Sequence, residues 1–176
     1  MSIAEIFALA DDDGAARAAA EALFASLQAE LAAILPPSAD IRHIGATAVP
    51  GCLTKGDLDI VVRIDARDFP VADEGLGARF ARNLGSVRTE TFAAFEDDAA
   101  TPHLGVQLVA RGDEFDDFHL FVEALRADPE LVRAYNRLKL DWRGKAMDDY
   151  RRAKGAFIAR VLGAREPPPI SACTGS

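Results

Sequence analysis

Two aspartates, Asp57 and Asp59, stand one residue apart in the stretch GDLDIVV, residues 56–62. In an extended chain, residues i and i+2 point to the same face. The spacing therefore predicts two carboxylates side by side, with Leu58, Ile60 and Val62 on the opposite face. Carboxylates that close repel, and each raises the other's pKa unless a cation sits between them. Mg²⁺ is the natural cation for such a pair, being hard, oxygen-seeking and commonly held by one or two carboxylates plus substrate phosphates. The residues just upstream, HIGATAVPG (43–51), supply the other half. Gly45, followed by the small residues Ala46, Thr47 and Ala48, lets backbone N–H groups approach an anion, and Thr47 adds a hydroxyl. A phosphate-holding turn beside a metal-binding carboxylate pair is equipment for phosphoryl or nucleotidyl transfer. A D-x-D spacing alone is a weak signal, since acidic pairs are common on solvent-facing strand edges; the turn gives it weight.

The remaining candidates carry less. Lys55 directly precedes the pair and could neutralise phosphate charge or simply be a loop lysine. His43, before the turn, fits a phosphate contact or a partly buried structural role. Tyr150 and Lys154 are helical i, i+4 neighbours, with Tyr150 fitted to core packing. His103 and His119 stand isolated, and Cys52 has no base near it in sequence.

The elements that would position these residues follow from periodicity. Ala20, Leu23, Phe24, Leu27, Leu31 and Ile34 give a helix over 14–34, capped by the Asp11–Asp13 run and ended by Pro36-Pro37. Residues 41–45 and 57–64 read as strands, joined by a turn-rich connector. A helix is expected within 65–85, strands over 86–95 and 103–111, and a loop over 96–102. Beyond these, one stripe runs through Phe115, Phe118, Val122 and Leu125. A second helix starts at Asp128-Pro129 and buries Leu131, Tyr135, Leu138 and Trp142; a third buries Tyr150, Ala153, Phe157, Ile158 and Val161. This order predicts an α+β fold, a mixed sheet with helices packed mainly on one face and a C-terminal helical segment. Residues 1–164 are expected to form one domain and 165–176 a disordered tail.

Composition limits the partners. No run of about 18 apolar residues exists, so no transmembrane helix is expected. The N-terminal stretch lacks a basic leader region and reads as mature sequence. Cys52 and Cys173 show neither metal-ligand spacing nor a disulfide framework, which suits a reducing cytoplasm. A net charge of −8 argues against general nucleic-acid binding. Within that acidic chain, residues 130–166 hold ten Lys or Arg against five acids. This basic segment is either a solvated helix face or a clamp for an anionic substrate, with Arg137 and Lys154 as its candidate phosphate ligands.

The run HIGATAVPGCLTKGDLDIVV resembles the signature of the GrpB family, also called UPF0157, and the likeness continues through GVQLV, FHLFVEALRADPELVRAYNRLK and YRRAKGAFI, about residues 40–162 in all. The resemblance implies a nucleotidyltransferase fold of the polymerase-beta-like superfamily. There a G-[GS] turn holds a nucleoside triphosphate, and a D-x-D pair with a third carboxylate holds Mg²⁺. Carried onto this chain, Gly45 and Ala46 occupy the turn with Thr47 beside them, Asp57 and Asp59 the metal pair, and Lys55 and Lys154 the family's lysines. Two positions depart: Ala46 stands where Ser or Gly is preferred, and Gln107 stands near the third carboxylate, with Glu90, Glu96, Asp97 and Asp98 as nearby acids. The expected function is Mg²⁺-dependent nucleotidyl transfer from a nucleoside triphosphate to an unknown acceptor. The alternative is a catalytically inactive module that binds a nucleotide or another phosphorylated small molecule.

Overall fold

A computed structural model describes residues 5–163. Asp12 accepts the Ala15 N–H at 2.9 Å and caps helix α1, Asp13–Ile34, whose Ala20, Leu27 and Leu31 are buried. Strands β1 (Asp40–Ile44) and β2 (Leu58–Ile64) follow, with one 3₁₀ turn, Ala46–Ala48, in the connector between them. Next come helix α2 (Phe69–Arg79) and strands β3 (Ala81–Arg82), β4 (Phe92–Asp97) and β5 (Leu104–Ala110). Helices α3 (Phe118–Ala127), α4 (Pro129–Trp142) and α5 (Met147–Leu162) complete the chain. Asp128 caps α4 through the Glu130 N–H, as its Asp-Pro start predicts.

The five strands form one mixed sheet in the order β1-β2-β5-β4-β3. Only β2 and β5 run parallel; the other neighbours are antiparallel. A parallel pair needs a long return path, here α2 and the β3–β4 hairpin. The strand expected over 86–95 begins later, at Phe92, and runs on to Asp97. Its first residues turn instead: the Thr89 N–H bonds the Phe92 carbonyl and Arg88 reaches back to Asp73. Glu96 and Asp97, expected in a loop, find ladder partners in Gly105 and Leu104.

The α+β mixed sheet is as expected, but its helices divide between both faces. Leu58, Ile60, Val62 and Ile64 pack with α1 and α2 in one core cluster. Val61, Val109, Phe92 and Ala94 pack with α3, α4 and α5 in a second. The physical reason lies in β2 and β5: both faces of these central strands carry buried residues, Ile60 and Leu108 on one and Val61 and Val109 on the other, and strands buried on both faces need cover on both. A third small cluster stacks Phe7 on Tyr150, centroids 3.6 Å apart, beside Met147. The expected tail over 165–176, with Cys173, lies outside the described residues. Among those described, no helix is long and apolar enough to cross a membrane.

Candidate functional site

Asp59 lies on β2 facing the α3–α5 layer, and sheet register decides its surroundings. Its partner on one side is Ile44, the last residue of β1; on the other it is Gly105 of β5. Gly45, next after Ile44, turns the chain with φ +76°. A Cβ at Gly45 would lie 2.7 Å from Asp59 Oδ2, and one at Gly105 would lie 2.9 Å from Asp59 Oδ1. Two glycines therefore wall the carboxylate from opposite sides, and at Gly45 the backbone conformation also demands glycine. Asp59 has no hydrogen bond or ion pair among the described residues. Burial pushes its carboxyl above the ordinary range; Lys154 of α5 pulls it back, and Asp57 adds a further upward push.

Asp57 sits one residue before β2, with Lys55 Nζ 3.4 Å from its Oδ2. Thr47 is only 1% exposed, and its hydroxyl donates to the Asp57 carbonyl at 2.9 Å. It must then accept from His43 Nε2, 2.8 Å away, so the ring proton lies on Nε2. Burial holds His43 below the usual imidazole value and keeps it neutral at pH 7. The hydroxyl expected to meet a phosphate thus ties the turn to the start of β2. Ala46 stands in that turn and accepts the Val49 N–H.

The structure brings Gly45, Ala46, Lys55, Asp57, Asp59 and the charge of Lys154 to the end of the sheet where β1 finishes and β2 starts. It does not bring Arg137, which is exposed on α4 with its charge acting on Glu130. Gln107 faces the same side as Asp59 on β5, with Nε2 3.8 Å from where a Gly105 Cβ would stand. Among the described residues no third acid joins Asp57 and Asp59 in a group close enough to share a metal.

Residues that sequence reasoning missed hold the connector. Arg126 donates to the Ala48 carbonyl, and Arg17 to those of Val49 and Cys52. Asn136 donates to Gly51 O at 2.8 Å and accepts from Leu53 N at 2.9 Å. Lys139 donates to Leu53 O at 2.5 Å, and Asp13 accepts from Thr54 N at 2.9 Å. Lys139 is 2% exposed and lies 3.8 Å from the Tyr135 ring centroid; burial pulls its pKa down to about 8. One signal was available: Lys139 follows Tyr135 by four residues and so shares the apolar stripe of α4. A groove of about 560 Å³ runs along Ala48–Gly51 between α1, α3 and α4, and neither Asp57 nor Asp59 lines it.

With this geometry in place, comparison with known proteins decides the family. The GrpB family model matches residues 15–164. A UPF0157 protein of Vibrio cholerae is 38% identical over 148 residues, 84% of this chain and 78% of that protein. This chain belongs to the GrpB family. The crystal structure of the conserved protein GrpB from Enterococcus faecalis superposes with a TM-score of 0.66 at 19% identity, covering 82% of this chain and 91% of that one. The RNA terminal uridylyl transferase Cid1 gives a TM-score of 0.50 at 14% identity, over 73% of this chain and 39% of its own. At such identities these likenesses speak for the fold alone: GrpB-family architecture here is nucleotidyltransferase-like.

Proposed function

We propose that this GrpB-family chain binds a nucleoside triphosphate with Mg²⁺ and transfers its nucleotidyl group to an acceptor. One observation carries the reading: a desolvated carboxylate without a partner, enclosed by two glycines, with a second carboxylate beside it. A partly buried carboxylate with no hydrogen bond, offset only by the more distant charges of Lys154 and Lys55, costs stability, and its retention makes sense where a cation completes it. The donor set fits Mg²⁺, since Asp57 and Asp59 offer hard oxygens. Bound there, the ion would neutralise phosphate charge as a Lewis acid. The Gly45–Ala46 backbone approaches the phosphates, Lys55 and Lys154 add positive charge, and Thr47 holds the turn against β2. An acceptor oxygen bonds to the α-phosphorus as the bond to the bridging oxygen breaks and pyrophosphate leaves; the acceptor's proton goes to water at the open side.

A second reading, nucleotide or phosphometabolite binding without turnover, is favoured by Gln107 and by the absence of a third acid at the Asp57–Asp59 pair among the described residues. Thermal melts with each of the four nucleoside triphosphates, with and without Mg²⁺, test both. The expected result is a Mg²⁺-dependent rise in Tm that Asp59→Asn abolishes; an unchanged rise in that variant overturns the site. Pyrophosphate release then separates transfer from binding.

A further inference from the structure

The β4–β5 turn gathers a second set of metal-ligating side chains. Glu96 comes from β4, Asp98 from the turn and His103 from the residue before β5, and one ligand atom of each lies within 4.8 Å of the others. His103 Nε2 is 2.9 Å from Asp98 Oδ1. An ordinary ion pair would end there. Glu96, however, is partly buried beside it with no hydrogen-bond or ion-pair partner among the described residues.

Register supplies a second observation. Gly105 pairs with Asp59 on one side and with Glu96 on the other, so all three face the same side of the sheet. Between the two unpartnered carboxylates lies a strip of bare glycine backbone, and Asp59 Oδ1 points over it, 2.9 Å from where a Cβ would stand. The turn is fixed to β2 through the Leu58 N–H, which donates to the His103 carbonyl at 2.9 Å. A cation at the turn would thus lie next to Asp59 without being held by it.

We propose that Glu96, Asp98 and His103 bind a divalent transition-metal cation, Mn²⁺ or Zn²⁺ in preference to Mg²⁺, at the rim of the Asp57–Asp59 site. The mixed donor set gives the preference, because imidazole suits Zn²⁺ and the two carboxylates suit Mn²⁺, while Mg²⁺ demands near-ideal octahedral geometry and dehydrates reluctantly. Three protein ligands leave coordination positions free, and the exposure of His103 (41%) and Asp98 (80%) leaves them open to water or a phosphorylated ligand. The inference does not rest on the nucleotide reading, because this cation needs no nucleotide to bind.

The test is titration of the full-length protein with MnCl₂ and with MgCl₂, without nucleotide. Bound Mn²⁺ is followed by electron paramagnetic resonance and by its ¹⁴N coupling. The wild type is expected to hold one Mn²⁺ that shows imidazole coupling and resists excess Mg²⁺. His103→Gln should remove that coupling, and Glu96→Gln or Asp98→Asn should weaken binding about tenfold or more. Asp59→Asn should leave the coupled Mn²⁺ in place, even if it abolishes the Mg²⁺–nucleotide response. Because His103 and Asp98 are exposed, those variants are expected to fold, which circular dichroism verifies. Absence of ¹⁴N coupling in the wild type, its survival in His103→Gln, or its loss in Asp59→Asn would each overturn the assignment.

Discussion

Asp59 carries its charge into a slot that a single methyl group on either side would close. The folded-state pKa of this carboxyl lies above its unfolded value. Between those two values the native chain holds a proton that the unfolded chain has lost, so native stability falls as pH rises through that window. Asp59→Asn is therefore expected to raise Tm at pH 7, by about 2–5 °C. The gain should shrink as pH is lowered towards 4, which melts across pH 4–8 would show. Gly105→Ala makes a complementary case. Its methyl would stand 2.9 Å from Asp59 Oδ1, too close to stay, so the carboxylate must shift. The expected cost is about 1–3 kcal/mol. In an Asp59→Ala background most of that cost should vanish; additive effects in this double-mutant cycle would refute the coupling.

At the scale of elements, the connector between β1 and β2 is held by side chains from helices far away in sequence. Asp13 and Arg17 of α1, Arg126 of α3, and Asn136 and Lys139 of α4 satisfy its backbone groups one by one. A loop so partnered is preorganised between the glycine turn and the aspartates. The lysine sets a pH signature. Its folded pKa, about 8, lies below its unfolded value of 10.5. From pH 8 to 10.5 the unfolded chain keeps a proton that the native chain has released, so native stability rises with pH. Relative to Lys139→Met, the wild type should gain up to about 3 kcal/mol across that window. Tyr135 and Tyr150, both raised by burial, titrate above that window; the Cys52 thiol, raised by burial and coupled to Lys139, is taken out of the comparison by making both proteins in a Cys52→Ala background. A stability difference that stays flat with pH would show that the Lys139 ammonium is not buried as described.

At the scale of the whole molecule, the glycine turn, the DLD pair, the strand and helix order and the GrpB-family likeness are all legible in sequence, because each depends on neighbours a few residues apart. Periods of 2 and 3.6 and a positive-φ glycine are local facts. Other features depend on which strands become neighbours. Gly105 gains its meaning only when β5 inserts between β2 and β4, placing it opposite both Asp59 and Glu96. His103 looks isolated in sequence, and the hairpin brings it to Asp98 and Glu96. Arg137 and Lys154 look alike in a basic segment, but helix rotation turns Arg137 to solvent and leaves the charge of Lys154 acting on Asp59. The sequence by itself determined the chemistry available: two carboxylates, a turn that admits an anion and the elements to carry them. Only the tertiary structure decided which groups stand beside them, because register and helix packing are long-range choices, made by burying both faces of one sheet at once.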